Sequence, residues 1–174
     1  MTKIFVQENF FDNETYRKIV DQMLTLDYVP PSKTERENIK SCYWHSHELP
    51  EECDVKTEIK KLVKQYFNYK IEKFVLPSIY TMVGATDSPK IHTDTNQIEG
   101  HVPKYQLIIY MLGPESINNG TGFFERREKG PGQISLHVGF KHNRAIFFSA
   151  DNYHSPLQWS GNGSFRYSIN NFFV

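Results

Sequence analysis

A single threonine separates His92 from Asp94. On an extended backbone residues i and i+2 point to the same face, so this imidazole and this carboxylate would project together. His154 lies 60 residues after Asp94, just beyond the apolar run 145–149, and offers a third ligand from a distant strand. Two histidines and one carboxylate on one face leave coordination positions open, which is typical of mononuclear non-haem Fe(II) sites. The spacing therefore predicts a metal site formed by His92, Asp94 and His154.

A zinc site would have a different donor pattern. Zinc is usually held by a closed set of cysteines and histidines or by a helical His-Glu-x-x-His, and the sequence contains neither pattern. The two cysteines, Cys42 and Cys53, match no zinc or redox spacing, so we predict two free thiols.

Arg166 follows His154 by twelve residues and is the only charged residue in the last apolar run, which ends at Val174. Surface exposure is the ordinary explanation for such a residue. The alternative is that the guanidinium points inward and binds a carboxylate in the fork geometry that arginine offers and lysine does not. The sequence leaves both open.

Two amphipathic patterns predict helices in the first part of the chain. One begins near Glu14, with Asp12 or Asn13 as its cap, and the other runs from about Asp54 to Phe67. The lysines of the second helix are expected on its solvated outer face. Between the helices, residues 28–50 are charged and open with two prolines, which predicts a long irregular segment.

From residue 71 onward short strand-like runs alternate with turn-rich stretches. This order predicts a mostly β fold with flanking helices, namely a double-stranded β-helix (a jelly-roll or cupin-like barrel) with two N-terminal helices packed outside it. We predict one domain over residues 1–174, helical in 1–70, with the barrel core in 71–174. The predicted strands are 74–76, 78–83, 106–112, 122–125, 134–138, 145–149 and 166–173.

The bulk properties disfavour two classes of partner. Twenty basic residues balance twenty acidic ones, so the chain lacks the excess positive charge of most nucleic-acid binders. The longest apolar stretch, 107–112, is too short to span a membrane, and the N-terminus lacks the apolar core of a signal peptide. These features predict a cytoplasmic protein, and they do not indicate an oligomeric state.

Over residues 70–174 the pattern His92-x-Asp94, His154, Arg166 resembles the 2-oxoglutarate/Fe(II) dioxygenase superfamily, and most closely its prolyl-hydroxylase-like branch. Thr121 stands where that branch has the second glycine of a turn. The segments that carry the resemblance further are Tyr80-x-x-x-Gly84, Leu107 to Leu112, Asn119 to Phe124 and Ala145 to Ser149.

The resemblance implies Fe(II) held by the His-Asp-His triad, 2-oxoglutarate chelating that iron, and O2 as the second co-substrate. It implies that Arg166 binds the distal carboxylate, with a hydrogen bond from either Tyr80 or Tyr110. The implied reaction hydroxylates a C–H bond and releases succinate and CO2, with ascorbate left open as an accessory reductant. Halogenating members have a small residue at the position of Asp94, so the carboxylate indicates hydroxylation.

The implied substrate is proline, free or within a peptide, and another amino acid or small metabolite remains open. Tyr43, Trp44 and His45 are candidates for a lid over the substrate. Asn96 follows the ligand pair directly, and Trp159 could close the same rim or belong to the core. Asn152, two residues before His154, is a candidate for orienting the metal ligands.

Two other functions are compatible with parts of this pattern. A cupin-like metal-binding barrel of another class, an isomerase or a non-catalytic module, would need no inward arginine. A nucleic-acid dealkylase of the same superfamily carries a second arginine six residues after the first, and here that position is Phe172.

Overall fold

Within the described residues, two helices and two strands precede the main run of strands. The computed structural model describes residues 3–29, 43–49, 53–83, 91–96, 100–157 and 165–174; of residues 43–48, 76–79 and 83 it describes the backbone. The elements are β1 (Ile4–Gln7), α1 (Asn13–Leu24), β2 (Tyr43–Glu48), α2 (Asp54–Phe67), β3 (Phe74–Val83), β4 (Tyr105–Leu112), β5 (Ser116–Arg127), β6 (Gly130–Phe140), β7 (Arg144–Ser149), β8 (Tyr153–Leu157) and β9 (Arg166–Phe173).

Both predicted helices are present. Asp12 caps α1, because its Oδ1 accepts a hydrogen bond from the backbone N–H of Thr15 at 2.8 Å. Helix α2 ends at Asn68, whose left-handed backbone (φ +52°) terminates the helix in the way a glycine often does. The prediction that all lysines of α2 face solvent was wrong for Lys56, which is buried with its Nζ 5.4 Å from the centre of the Phe74 ring.

The strands form two antiparallel sheets. The six-stranded sheet has the order β1-β7-β4-β9-β3-β2 and the three-stranded sheet the order β6-β5-β8. Every strand pair in the described ranges is antiparallel. The predicted mostly β class with two helices is therefore confirmed.

The central strands of the six-stranded sheet, β7, β4 and β9, are largely buried on both faces. Along β4, Leu107, Ile109 and Met111 belong to the cluster shared with the two helices, whereas Ile108 and Tyr110 pack towards the three-stranded sheet. This alternation follows from the two-residue period of a strand. The molecule thus has three layers, with the helices on one side of the large sheet and the small sheet on the other.

One predicted irregular stretch is partly regular. Residues 43–48 form the edge strand β2, which pairs with β3 from Tyr43 opposite Val83. The sequence of β2 mixes aromatic, histidine and charged residues without a clean two-residue alternation, so its strand character comes from pairing with β3 rather than from a local pattern. No helix in the described part of the chain is long and apolar enough to cross a membrane.

Truncating Ile109 to alanine is expected to lower the free energy of unfolding by about 2–5 kcal/mol. The side chain is fully buried between the large sheet and the helices, so the change leaves a cavity. Urea denaturation measures the loss. The control Ile117→Ala removes the same atoms from a side chain that is 78% exposed, and a change within about 0.5 kcal/mol is expected there. Equal losses in the two variants would contradict this core.

Candidate functional site

The structure brings together the three residues whose spacing predicts a metal site. Each offers one ligand atom, and the three atoms lie within 4.8 Å of one another. His154 Nε2 is 3.1 Å from Asp94 Oδ2, and His92 Nε2 is 3.7 Å from Asp94 Oδ1. His154 is almost completely buried, while the other two ligands are partly accessible from one side. The triad is therefore buried on one side and open on the other.

Backbone hydrogen bonds hold the ligand segments in place. His92 and His154 form an isolated antiparallel bridge, in which each N–H donates to the other's carbonyl, at 3.0 and 2.9 Å. The N–H of Asp94 donates to the carbonyl of Ala150 at 2.9 Å. The segment 91–96 is thus joined to the end of β7 and the beginning of β8, and these bonds place two ligands distant in sequence side by side.

The proton arrangement of His154 fits a metal ligand. Its Nδ1 lies 3.0 Å from the backbone carbonyl of Asn152, and because a carbonyl can only accept, Nδ1 carries the proton. Its Nε2 then faces Asp94 Oδ2 at 3.1 Å, and that oxygen is buried with no hydrogen-bond donor among the described residues. A ring nitrogen and a carboxylate oxygen at this separation can share one cation. A donor set of two imidazole nitrogens and one carboxylate fits Fe(II).

Asn152 occupies the predicted position beside the ligand but acts through a different group. Its backbone carbonyl orients His154, whereas its side-chain Nδ2 is buried without a partner in the described structure. The contact with the ligand therefore comes from the carbonyl of the turn before β8 rather than from the side-chain amide.

A cavity between the two sheets opens onto the triad. Its volume is about 170 Å³, which corresponds to about six water molecules at the roughly 30 Å³ that each takes in the liquid. This matches a small organic acid. The residues that line it besides the triad are Thr81, Gln106, Ile108, Tyr110, Thr121, Pro156, Arg166, Ser168, Asn170 and Phe172.

Arg166 brings a positive charge into this cavity. It is 8% exposed, and its Nη1 donates to Asn119 Oδ1, to the carbonyl of Gly120 at 3.0 Å and to that of Leu157 at 3.3 Å. Within the described ranges, no carboxylate forms an ion pair with it, and all its hydrogen bonds come from Nη1. Burying an unpaired cation is costly, so the cavity is suited to an anion that pairs with the remaining N–H groups.

The two candidate tyrosines lie on opposite faces of the large sheet. Tyr110 lines the cavity, where its hydroxyl lies 2.6 Å from Thr121 Oγ1. Burial raises the pKa of Tyr110 to about 12, so the phenol stays protonated at neutral pH. Tyr80 is wholly buried on the helix side and donates to Gln22 at 3.2 Å. Of the two alternatives, the structure therefore places Tyr110 at the cavity, because the alternation along β3 directs Thr81 rather than Tyr80 into it.

The sequence matches no protein-family model and no curated protein. Solved structures do match its fold. A Pseudomonas putida prolyl-4-hydroxylase is 12% identical with a TM-score of 0.61, covering 99% of this chain and 92% of that one. The prolyl hydroxylase of Trichoplax adhaerens, in complex with a hypoxia-inducible-factor peptide fragment, is 10% identical with a TM-score of 0.66, covering 98% and 83%. HygX of Streptomyces hygroscopicus, with nickel and 2-oxoglutarate bound, is 10% identical with a TM-score of 0.65, covering 99% and 83%.

The chain has the fold of the prolyl-hydroxylase-like 2-oxoglutarate/Fe(II) oxygenases. The double-stranded β-helix predicted from the strand pattern is thereby confirmed. In this fold His92 and Asp94 lie in the segment 91–96, His154 lies in β8, and Arg166 begins β9.

Of the other predicted substrate residues, Asn96 is the one whose side chain the structure describes. Asn96 is exposed and is not among the cavity-lining residues. Tyr43, Trp44 and His45 lie on the edge strand β2, where the structure describes only the backbone, and Trp159 lies outside the described residues.

Several cavity residues were missed at the sequence level. Gln106 of β4 and Ser168 and Asn170 of β9 are polar residues within largely buried strands, and all three line the cavity. Their residue type is a usable signal, because a polar residue on the inner face of a buried strand needs a partner. Asn119 was noted only as part of a turn, yet it accepts a hydrogen bond from Arg166.

Replacing Gly120 by alanine is expected to lower the free energy of unfolding by about 2–6 kcal/mol, the sum of backbone strain and overpacking. At φ +140°, a Cβ here would lie 2.0 Å from the carbonyl oxygen of Val138. Gly130→Ala is the matched control, since φ is +121° but nothing lies within 4 Å of its Cβ; only the strain of roughly 1–3 kcal/mol is expected. Chemical denaturation compares them, and indistinguishable losses would argue against the close approach of β5 to β6.

Proposed function

We propose that this protein is an Fe(II)- and 2-oxoglutarate-dependent dioxygenase that hydroxylates a C–H bond and releases succinate and CO2. The observation that carries the proposal is the buried guanidinium of Arg166, without a carboxylate partner among the described residues, in the same cavity as His92, Asp94 and His154. A metal-binding barrel of another class would leave this charge facing the cavity without an anion. The keto acid supplies one.

The side chains that line the cavity would have separate roles in binding the metal and in binding and orienting the co-substrate. His92, Asp94 and His154 would hold the iron, which when bound activates O2 for attack on an unreactive C–H bond. Arg166 would pair its free N–H groups with the distal carboxylate of 2-oxoglutarate. Tyr110, kept protonated by its burial, would donate a hydrogen bond to the same carboxylate.

The fold neighbours support a first candidate for the substrate class. Two of them are prolyl hydroxylases and one of these holds a peptide, so proline, free or within a peptide, is the first candidate. Another amino acid or a small metabolite is the second. Asp94 keeps a carboxylate at the position that halogenating members leave small, which favours hydroxylation.

Replacing Tyr110 by phenylalanine is expected to weaken 2-oxoglutarate binding by about 10- to 150-fold, because a hydrogen bond to a charged group contributes roughly 1.5–3 kcal/mol. Tyr80→Phe removes the same hydroxyl from the opposite face of the sheet and serves as the control. Isothermal titration with Mn(II) present measures both. A loss in Tyr80→Phe with no loss in Tyr110→Phe would reverse the assignment of the two tyrosines.

The decisive experiment is an anaerobic titration with Fe(II) and 2-oxoglutarate, followed by the metal-to-ligand charge-transfer absorption of the chelated keto acid. Wild type is expected to develop the band, and His92→Ala is not. The absence of a band in folded wild type would overturn the proposal. Uncoupled succinate production over a panel of amino acids and peptides then searches for the substrate.

A further inference from the structure

The inner face of the large sheet has four rows of side chains, set by the register of its strands. Strand β4 contributes Tyr110, Ile108 and Gln106, which are paired with Ser168, Asn170 and Phe172 of β9. Arg166 lies one row beyond Ser168 along β9. Successive residues on one face of a strand are about 6.5 Å apart, so Gln106 lies about 13 Å along the strand from Tyr110. The arginine and Gln106 therefore mark opposite ends of the cavity.

The triad lies towards the Gln106 end. Gln106 pairs with Phe148 of β7, and the Phe148 ring packs edge-on against the His154 ring with centroids 5.0 Å apart. A keto acid that places its distal carboxylate on Arg166 and its other end at the metal lies beside Tyr110 and Ile108. The space next to Gln106 remains for the group that is oxidised.

Gln106 has an unsatisfied side chain. It is 4% exposed and lines the cavity, and its amide oxygen is buried without a partner. Neither end of this amide makes a hydrogen bond to a described residue. A buried polar group without a partner is costly, so an amide held in this way is suited to a ligand that supplies both a donor and an acceptor. This requirement holds whichever way the amide is turned.

The keto acid does not meet this requirement. At neutral pH, 2-oxoglutarate has only acceptor oxygens, so it leaves the amide oxygen of Gln106 unpaired. A free amino acid also supplies both, but only from a charged ammonium and a charged carboxylate. A neutral amide supplies one N–H and one C=O and pairs with both ends of the glutamine side chain. The neighbours of Gln106 in the row, Phe172 and Phe148, are apolar and favour such an uncharged group.

We propose that Gln106 binds an amide group of the primary substrate, so that the substrate is a peptide or another carboxamide rather than a free amino acid. This inference rests on the proposed function, which assigns the Arg166 end of the cavity to the keto acid. It makes Gln106 the residue that distinguishes a blocked amino acid from its free form.

Binding of two matched probes tests the proposal. One is N-acetylproline N-methylamide and the other is free proline, with the corresponding alanine pair added so that the ring is not required. Calorimetric titrations and saturation-transfer NMR use both the protein as purified and the protein loaded with Mn(II) and 2-oxoglutarate. The variants are Gln106→Met, which keeps the shape and removes both polar ends, and Gln106→Glu, which keeps the acceptors only. Gln133→Met, at an exposed position, is the control.

Wild type and Gln133→Met are expected to bind the blocked amino acids at least tenfold more tightly than the free ones. Gln106→Met should lose this preference while keeping its 2-oxoglutarate affinity, and Gln106→Glu should shift the preference towards the ammonium of the free form. Thermal unfolding shows whether each variant is folded.

Equal binding of blocked and free probes by wild type would overturn the proposal. So would unchanged amide binding in both folded Gln106 variants, or a loss of keto-acid affinity in them without a loss of amide affinity. Failure of the proposed function gives a different result, namely no binding of 2-oxoglutarate to metal-loaded wild type, and the amide titrations of the unloaded protein remain interpretable in that case.

Discussion

Replacing His154 by alanine is expected to abolish 2-oxoglutarate turnover and to weaken Mn(II) or Fe(II) binding at least about a hundredfold, since loss of an outer-shell partner alone costs roughly 10–100-fold. His154 is buried, its Nδ1 proton is fixed by a backbone carbonyl, and its Nε2 faces Asp94. Of the three ligands, His154 is the one that comes from a strand of the small sheet. Its removal leaves two ligands, both on the segment 91–96.

A stability measurement checks this prediction independently of activity. A ligand at one hundred times its dissociation constant stabilises a protein by about 2.7 kcal/mol, so saturating metal should raise the Tm of wild type and have little effect on His154→Ala. The matched control is His101→Ala, whose imidazole contacts Lys73 Nζ at 2.9 Å on the surface. A variant at position 154 that still gained stability from metal would remove this histidine from the ligand set.

Replacing Arg166 by methionine is expected to weaken 2-oxoglutarate binding roughly 100-fold or more, corresponding to about 3 kcal/mol for a desolvated, charge-assisted pair. Arg166→Lys keeps the positive charge but loses the bidentate geometry of the guanidinium, so its affinity for 2-oxoglutarate should lie between those of wild type and Arg166→Met. The measurement is calorimetric titration of the Mn(II)-loaded protein. Arg127→Met, in which the lost guanidinium is more than half exposed, should bind as wild type does.

A keto acid that lacks the distal carboxylate separates a specific contact from a structural effect. Wild type should bind 2-oxoglutarate much more tightly than 2-oxopentanoate, which has the same carbon skeleton without the distal carboxylate. Arg166→Met should bind the two acids alike. If it instead lost affinity equally for both, the arginine would serve the fold through Asn119 and Gly120 rather than the co-substrate.

The sequence predicted those parts of the site that depend on local patterns. His92 and Asp94 are paired by a two-residue period, and Arg166 stands out because it is the lone charge in an apolar strand. The sequence alone did not distinguish Tyr80 from Tyr110 as the cavity residue, because that depends on which face of the large sheet the helices cover. That is a property of the packed layers and not of either strand alone.

The fold was predicted in the same uneven way. The helices have strong 3.6-residue patterns, and their boundaries were recovered closely. Strand β5 was expected over 122–125 but runs from Ser116 to Arg127, because it pairs with β6 on one side and β8 on the other. Strand β2 owes its conformation to β3 in the same sense. Pairing between distant segments leaves little trace in composition, so such elements are lost when the sequence is read locally.

The reciprocal backbone bridge between His92 and His154 determines the step at which the chain loses the entropy of ordering these two ligands. Because both N–H groups are bonded across the bridge, much of the backbone entropy of bringing these ligands together is lost when the chain folds and not when the ion arrives. Opening this one residue pair would also separate both imidazoles at once. Metal release and local unfolding would then share a single event, and amide hydrogen exchange at these two positions, slowed by added Mn(II), would report its frequency.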